Sequence, residues 1–241
     1  MQCVRFDLSK VKGAVAIITA AGIGSRFGEG LAKQYHLING KKILDITLER
    51  FIKSDKVEKI LLMISAEDTE FEKLTHITNE KIIVIDGGEE RQQTVNNGLS
   101  YLYDNGLADS IAVLIHDAVR PCLTEHDLEC LFSYFSKEHQ ACFLAKPVTD
   151  SLKKVSNDNM VKEDVNRTEM VRALTPQMAN FIELKNASTA AINSAKVFTD
   201  DVGTLTANNV SVAAVFGEDL NPKITHKKDI KLAEAILLSR E

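Results

Sequence analysis

The sequence predicts a doubly wound, mostly parallel α/β sheet carrying a projecting β-hairpin. Three observations lead there. Short apolar runs recur along the chain with helical stretches between them. The runs are continuous rather than alternating, as expected when helices cover both faces of a parallel sheet. One polar excursion then breaks the rhythm before it resumes.

The predicted strands are AVAIIT (14–19), KILLMIS (59–65), KIIVID (81–86), IAVLIH (111–116), ACFLAKPV (141–148) and VSVAAVFG (210–217). Helical stretches separate them. KILDITLERFIKS (42–54) places Ile43, Ile46, Thr47 and Arg50 on one stripe, with Leu44, Leu48 and Phe51 on its neighbour. RQQTVNNGLSYLYDN (91–105) turns Val95, Leu99 and Leu102 inward. TEHDLECLFSYFSKE opens at Thr124 with Asp127 three residues on, close to a capping box. HKKDIKLAEAILLS (226–239) closes the chain as an amphipathic helix. Strand–helix–strand repetition of this kind builds a sheet with helices on both faces. In the excursion, SLKKV and MVKEDV flank SNDN, which reads as a β-hairpin with a polar turn at about 147–170. It is too polar for sheet core, so it projects as an arm, and such arms often pack on a partner subunit.

The 241 residues suit a single domain, 1–241, with that modest appendage. A hydrophobic content of 44% and a charged content of 26% are ordinary for a globular protein. The net charge of -5 argues against a nucleic-acid binder, which is usually basic. Cys3, Cys122, Cys130 and Cys142 form no C-x-x-C pair, and no His cluster has zinc-ligand spacing. They read as thiols in a reducing compartment. The N-terminal MQCVRFDLSKVKG lacks an apolar core of signal-peptide length, and no run approaches a membrane span. A cytoplasmic protein with no membrane or nucleic-acid partner is expected.

The first strand breaks into AAGIGSRFGEGLAKQY (20–35). A glycine loop after a strand usually meets phosphate. No Gly-Lys-Ser or Gly-Lys-Thr follows the strand, so the P-loop template fails. Gly22 and Gly24 fit a dinucleotide fingerprint, but Phe27 stands at its third glycine, which counts against a dinucleotide-dependent oxidoreductase. The loop instead carries Arg26 and Lys33. Cations aimed at a triphosphate are worth most where charge develops on a departing pyrophosphate.

The segment 20–51, AAGIGSRFGEGLAKQYHLINGKKILDITLERF, resembles the opening signature of the 2-C-methyl-D-erythritol 4-phosphate cytidylyltransferases. Six further blocks follow in that family's order: GGEERQQTVNNGL (87–99), LIHDAVRPCL (114–123), KPVTDSLKKV (146–155), NRTEMVRALTPQ (166–177), FTDDVGTL (198–205) and NPKITHKKDIKLAEAIL (221–237). The resemblance implies a Rossmann-like nucleotidyltransferase fold with a dimerisation arm. It implies attack by a substrate phosphate oxygen on the α-phosphorus of CTP, with loss of pyrophosphate. No residue has to act as a nucleophile, so catalysis reduces to alignment and charge stabilisation.

By the same resemblance, Arg26 and Lys33 contact the triphosphate, while Ala21, Gly22 and Gly24 bring backbone amides close to CTP. Gly88, Arg91 and Thr94 match the segment that holds cytosine and ribose. Asp117, at a strand's C-terminal end, serves Mg²⁺ and the substrate hydroxyls. Arg120, Ser151, Arg167, Thr175, Lys223 and Thr225 match positions around the methylerythritol phosphate, and Arg167 and Lys223 join the catalytic set. Ser151 and Arg120 are expected to complete a neighbour's site, which implies a homodimer.

Several positions depart from the family pattern. Ala32 replaces the proline before Lys33, Val171 replaces a tryptophan, Pro222 enters the NIKIT segment, and Val202 and Gly203 replace Ala-Ser. The charged residues survive while the framework drifts. Ribitol-5-phosphate cytidylyltransferase is the nearest rival. Gln92 and Tyr35 stand where that group has asparagine and phenylalanine. A catalytically inactive nucleotide-binding homologue is a third reading, which the retained Arg26, Lys33 and Asp117 disfavour.

Overall fold

In the computed structural model, which describes residues 6–22, 27, 30–218 and 220–240, the chain opens on β1 (Ala14–Thr19). A 3₁₀ turn at Lys33–Tyr35 and a small ribbon, β2 (Leu37–Ile38) with β3 (Lys41–Lys42), lead into α1 (Ile43–Lys53). There follow β4 (Val57–Ile64), β5 (Ile82–Asp86), α2 (Arg91–Asp104), β6 (Ala112–Asp117), α3 (Glu125–Glu138) and β7 (Ala141–Pro147). The second half holds β8 (Leu152–Val155), β9 (Val161–Val165), β10 (Val171–Asn180), α4 (Phe181–Asn193), α5 (Asp201–Ala207), β11 (Val212–Phe216) and α6 (Lys227–Leu238).

Seven strands form the central sheet in the order β11-β7-β10-β6-β1-β4-β5. All six strands expected from the apolar runs are in it. Neighbours pair in parallel except at β10, which runs antiparallel to both β6 and β7. Strand period 2 divides the core between two faces. Ala14, Ala16 and Ile18 of β1 pack with Leu44, Leu48 and Phe51 of α1 and with Leu128 and Leu131 of α3. Val15 and Ile17 turn the other way, onto Val95, Leu99 and Leu102 of α2, Phe181 and Leu184 of α4, and Leu205 of α5. A third cluster seats Ala233 and Ile236 of α6 against Ile38, Ile43 and Val119. The sheet is therefore covered on both sides.

The helix signals have direct physical counterparts. Thr124 Oγ1 accepts from the Asp127 N–H at 3.0 Å and Asp127 returns the bond to the Thr124 N–H at 3.1 Å, closing a full capping box. Cys122 and Cys142 are buried, and burial pushes their thiols up to about 11 and about 12. Cys130 is half-buried, and Cys3 lies outside the described residues.

Three elements of the second half escape a reading of apolar runs. β10 contains Pro176, which cannot donate to a ladder and argues against a central strand. The structure accommodates it where the pairing with β7 shifts register between Ala173 and Gln177, at the cis Thr175–Pro176 peptide. α4 follows β10 directly, its Asn180 N–H bonded to Glu183 Oε2 at 3.3 Å. α5 is short and is started by Asp200, whose Oδ1 accepts from the Gly203 N–H at 2.9 Å.

β8 and β9 pair antiparallel, with Leu152 opposite Val165. This hairpin leaves Val155, Met160 and Val161 at least half exposed.

Candidate active site

The parallel strands end together. Thr19 of β1 is in register with Asp117 of β6 and with Met63 of β4. Ligands of open α/β sheets bind beyond such carboxyl ends. Here a cleft of about 510 Å³, partly open to solvent, is walled by Ala20–Gly22, Lys33, Gly88–Arg91, Thr94, Asp117–Val119 and Lys223.

One wall is the turn after β1. Gln34 is buried and donates from Nε2 to the Ala20 carbonyl at 2.9 Å. Tyr35 is buried too, and its hydroxyl donates to Asp68 at 2.7 Å. These anchors on the residues after it set Lys33 on the cleft wall. Ala32 has φ −59 and ψ 140, within the range a proline ring imposes, so the loop keeps the proline shape without the proline. Ala21 and Gly22 line the cleft as expected, and the space around Gly22 is open. Gly24 and Arg26 lie outside the described residues.

The opposite wall is the turn between β5 and α2. A Cβ on Gly87 would sit 2.4 Å from Ala21 Cβ and 3.2 Å from Thr94 Cγ2, so only glycine lets the two walls approach. The Thr94 hydroxyl accepts from the Gly88 N–H at 3.0 Å and also lies 3.1 Å from the Gly88 carbonyl. It shapes the glycine turn, and its proton is already engaged there.

Asp117 is the electrostatic centre. Its Oδ1 takes Arg91 Nε at 3.2 Å, and its Oδ2 takes Lys223 Nζ at 2.9 Å and Arg120 Nε at 3.3 Å. Burial alone would raise its pKa, but Arg91, Lys223 and Arg120 together hold it well below the usual carboxylate range. Arg91 also reaches Asp201 at 2.6 Å, and the two carboxylates raise its pKa against the effect of burial. One carboxylate thus aligns three cations from three distant parts of the chain.

The same geometry tests Asp117 as a metal ligand. Both of its oxygens already take cationic donors, and among the described residues no three His, Cys, Asp or Glu groups meet to hold an ion. This donor set does not fit a divalent ion held by the protein alone.

Behind Asp117 lies a buried layer that the sequence reading passed over. His116 is fully buried beside Phe51, with ring centroids 5.1 Å apart. Its Nε2 is 3.2 Å from the Arg120 carbonyl and its Nδ1 3.0 Å from Thr175 Oγ1. A carbonyl only accepts, so Nε2 carries the proton and Nδ1 accepts from the hydroxyl. Burial lowers the imidazole to about 4, which leaves it neutral near pH 7. Thr175 Oγ1 in turn accepts the Asp117 N–H at 3.2 Å. Gln177 is a second such residue. Its Oε1 accepts from the N–H groups of Asp201 and Val202 at 2.8 and 2.9 Å, and its Nε2 donates to Asp200 at 3.1 Å. The signal available for His116 was a polar residue at the end of an otherwise apolar run; Gln177, in a strand with several polar residues, carried none.

The remaining expected residues divide. Arg120 bonds Asp117 of its own chain and donates from Nη1 to the Asn221 carbonyl at 2.9 Å. Thr225 follows Lys223, its N–H held by Asp229 at 2.9 Å. Ser151 and Arg167 are exposed and do not line the cleft; Arg167 bonds the Thr149 carbonyl. Beside Pro222, the carbonyl of buried Asn221 accepts from Arg120, and Lys223 reaches Asp117.

The model of the 2-C-methyl-D-erythritol 4-phosphate cytidylyltransferase family matches residues 14–239. A protein of that name from Shewanella amazonensis is 35% identical over 238 residues, covering 99% of each chain. Its namesake from Shewanella loihica is 33% identical over 95% of this chain and 94% of its own. Among solved structures, the 2-C-methyl-D-erythritol 4-phosphate cytidylyltransferase of Francisella tularensis is 31% identical, with a TM-score of 0.80 over 93% of this chain and all of its own. The 4-diphosphocytidyl-2C-methyl-D-erythritol synthase of Anaerococcus prevotii is 27% identical, with a TM-score of 0.78 over 94% of this chain and 96% of its own.

Proposed function

The chain belongs to the 2-C-methyl-D-erythritol 4-phosphate cytidylyltransferase family, and we propose that its cleft transfers CMP from CTP to 2-C-methyl-D-erythritol 4-phosphate. The products are 4-diphosphocytidyl-2-C-methyl-D-erythritol and pyrophosphate, a step of non-mevalonate isoprenoid synthesis. The enzyme is a nucleotidyltransferase. The observation that carries this reading is the placement of Arg91, Arg120 and Lys223 around Asp117, across a glycine-walled cleft from Lys33.

An oxygen of the acceptor phosphate attacks the α-phosphorus of CTP. A new P–O bond forms, the bond bridging the α- and β-phosphates breaks, and pyrophosphate leaves with its electron pair. The attacking phosphate is already anionic, so no base has to remove a proton. What the protein supplies is position and positive charge. Lys33 and Lys223 face the triphosphate, with Arg26 joining them by resemblance. Gly88 and Arg91 border the nucleoside end, and Thr94 acts by shaping the turn at Gly88. Arg120, Thr175 and Thr225 serve the acceptor. Magnesium belongs to the substrate, carried on the phosphate oxygens as magnesium–CTP; among the described residues no three His, Cys, Asp or Glu groups meet to hold an ion.

The β8–β9 hairpin serves as a dimerisation arm. Its exposed Val155, Met160 and Val161 support this, and Ser151 and Arg167, which do not line their own cleft, are suited to a partner's. Among the described residues no helix is long and apolar enough to cross a membrane.

Phosphorus NMR of a reaction with CTP, Mg²⁺ and methylerythritol 4-phosphate tests the reaction. Equal amounts of pyrophosphate and a CDP-alcohol are expected; slow hydrolysis of CTP with the acceptor left intact would overturn the reading. Sedimentation equilibrium tests the arm: a dimer that a Met160→Asp, Val161→Asp variant converts to monomer is expected, and a wild-type monomer at micromolar concentration would refute it.

A further inference from the structure

His116 does not line the cleft, yet it joins two elements that the reaction needs side by side. Arg120 sits on the turn after β6. Thr175 sits on β10, which approaches from the opposite direction. The imidazole spans them, donating from Nε2 to the Arg120 carbonyl and accepting at Nδ1 from the Thr175 hydroxyl. That hydroxyl accepts from the Asp117 N–H, and the Arg120 side chain donates from Nε to the Asp117 carboxylate. The four groups close a ring in which each polar atom of the imidazole has one partner of fixed polarity. A buried network of this kind is costly when one member is missing.

We propose that His116 is a positioning residue for the acceptor side of the cleft: it fixes the Arg120 turn against the Thr175 strand, and so sets where Arg120 meets the acceptor phosphate. The proposal rests on the reading of Arg120 as an acceptor-binding residue. The nucleotide side is supported separately, by the Gly87–Ala21 approach, the Gln34 anchor and the Arg91–Asp201 pair, none of which involves His116.

Two substitutions divide the imidazole into halves. In His116→Gln the amide nitrogen stands near the Nε2 position and keeps the bond to the Arg120 carbonyl. In His116→Asn the amide oxygen stands near Nδ1 and keeps the bond from Thr175, while the hold on Arg120 is lost. His116→Asn should raise the KM for methylerythritol 4-phosphate about 3–10-fold, the loss of one ordinary hydrogen bond. His116→Gln should raise it less. Both should leave the KM for CTP within about twofold. A fall in both affinities together, an equal effect of the two variants, or no effect in folded variants would overturn the proposal. If either variant fails to fold, nitrogen NMR of the wild-type imidazole keeps the proposal testable: a neutral ring protonated on Nε2, whose signals shift with methylerythritol 4-phosphate and not with CTP, is expected, and a ring protonated on Nδ1 or shifted by CTP alone would overturn it. Failure of the wild-type enzyme to use methylerythritol 4-phosphate at all would instead refute the functional reading, and calorimetric titration of CTP separates the two cases.

Discussion

Lys223 Nζ lies 2.9 Å from Oδ2 of Asp117, which joins the loop before the last helix to the carboxyl end of a central strand. The same carboxylate holds Arg91 and Arg120, so its charge orders three cations that would otherwise repel one another. Replacing it with the isosteric amide removes the charge and leaves the cations crowded. Asp117→Asn should therefore destabilise the fold by about 3–5 kcal/mol, the cost of breaking a buried ion pair. The urea midpoint measures it, and an unchanged midpoint would show that the cluster contributes nothing to the fold.

Two buried groups make stability fall with acid. His116 is held at about 4, below the ordinary imidazole value of 6.5, so between these pH values the unfolded chain binds the extra proton. Its contribution is complete above about pH 6.5 and is lost as pH falls toward 4, by about 3 kcal/mol in all. Asp117, also depressed, adds its loss only below the ordinary aspartate value of 3.8. Denaturation midpoints from pH 7 to 4 should fall for the wild type and fall less for His116→Gln, which cannot titrate there.

Gly87 has a steric role that a glycine motif alone does not reveal. A methyl group there would meet Ala21 at 2.4 Å, and something must shift. Gly87→Ala should open the nucleotide cleft, raise the KM for CTP at least several-fold and destabilise by about 1–3 kcal/mol. An unchanged KM for CTP would show that the cleft walls move freely.

Ala32 already has the backbone of a proline. Restoring proline should stabilise the enzyme by about 0.4–1 kcal/mol through the unfolded chain, read as a small rise in Tm with turnover retained. A lower Tm would mean that the proline ring clashes in this loop.

The sequence was most legible where one physical signal dominated. Continuous apolar runs marked six of the seven sheet strands, and Thr124 with Asp127 marked a helix start to the residue. β10 stayed hidden because Pro176 denies a ladder bond, and only the tertiary fold shows that the bond is not needed at the register shift. Lys33 was legible because a cation on a glycine loop after a strand has few structural uses, whereas Arg91, Asp117, Arg120 and Lys223 were legible through the family resemblance. His116 and Gln177 were not, since their work is done by buried bonds to backbone and hydroxyl groups from distant segments. The drift at Val202 and Gly203 has the same explanation in reverse: their backbone N–H groups bond Gln177 and Asp200, so their side chains are free to vary.

The most direct test of the central claim is pyrophosphate release with CTP and Mg²⁺, comparing kcat/KM for methylerythritol 4-phosphate and ribitol 5-phosphate, with Lys33→Ala alongside. The account predicts a clear preference for the first acceptor and a loss of about 10²–10³ in kcat for the variant, comparable to removing one oxyanion-hole donor. Preference for ribitol 5-phosphate, or near-normal turnover without Lys33, would contradict it.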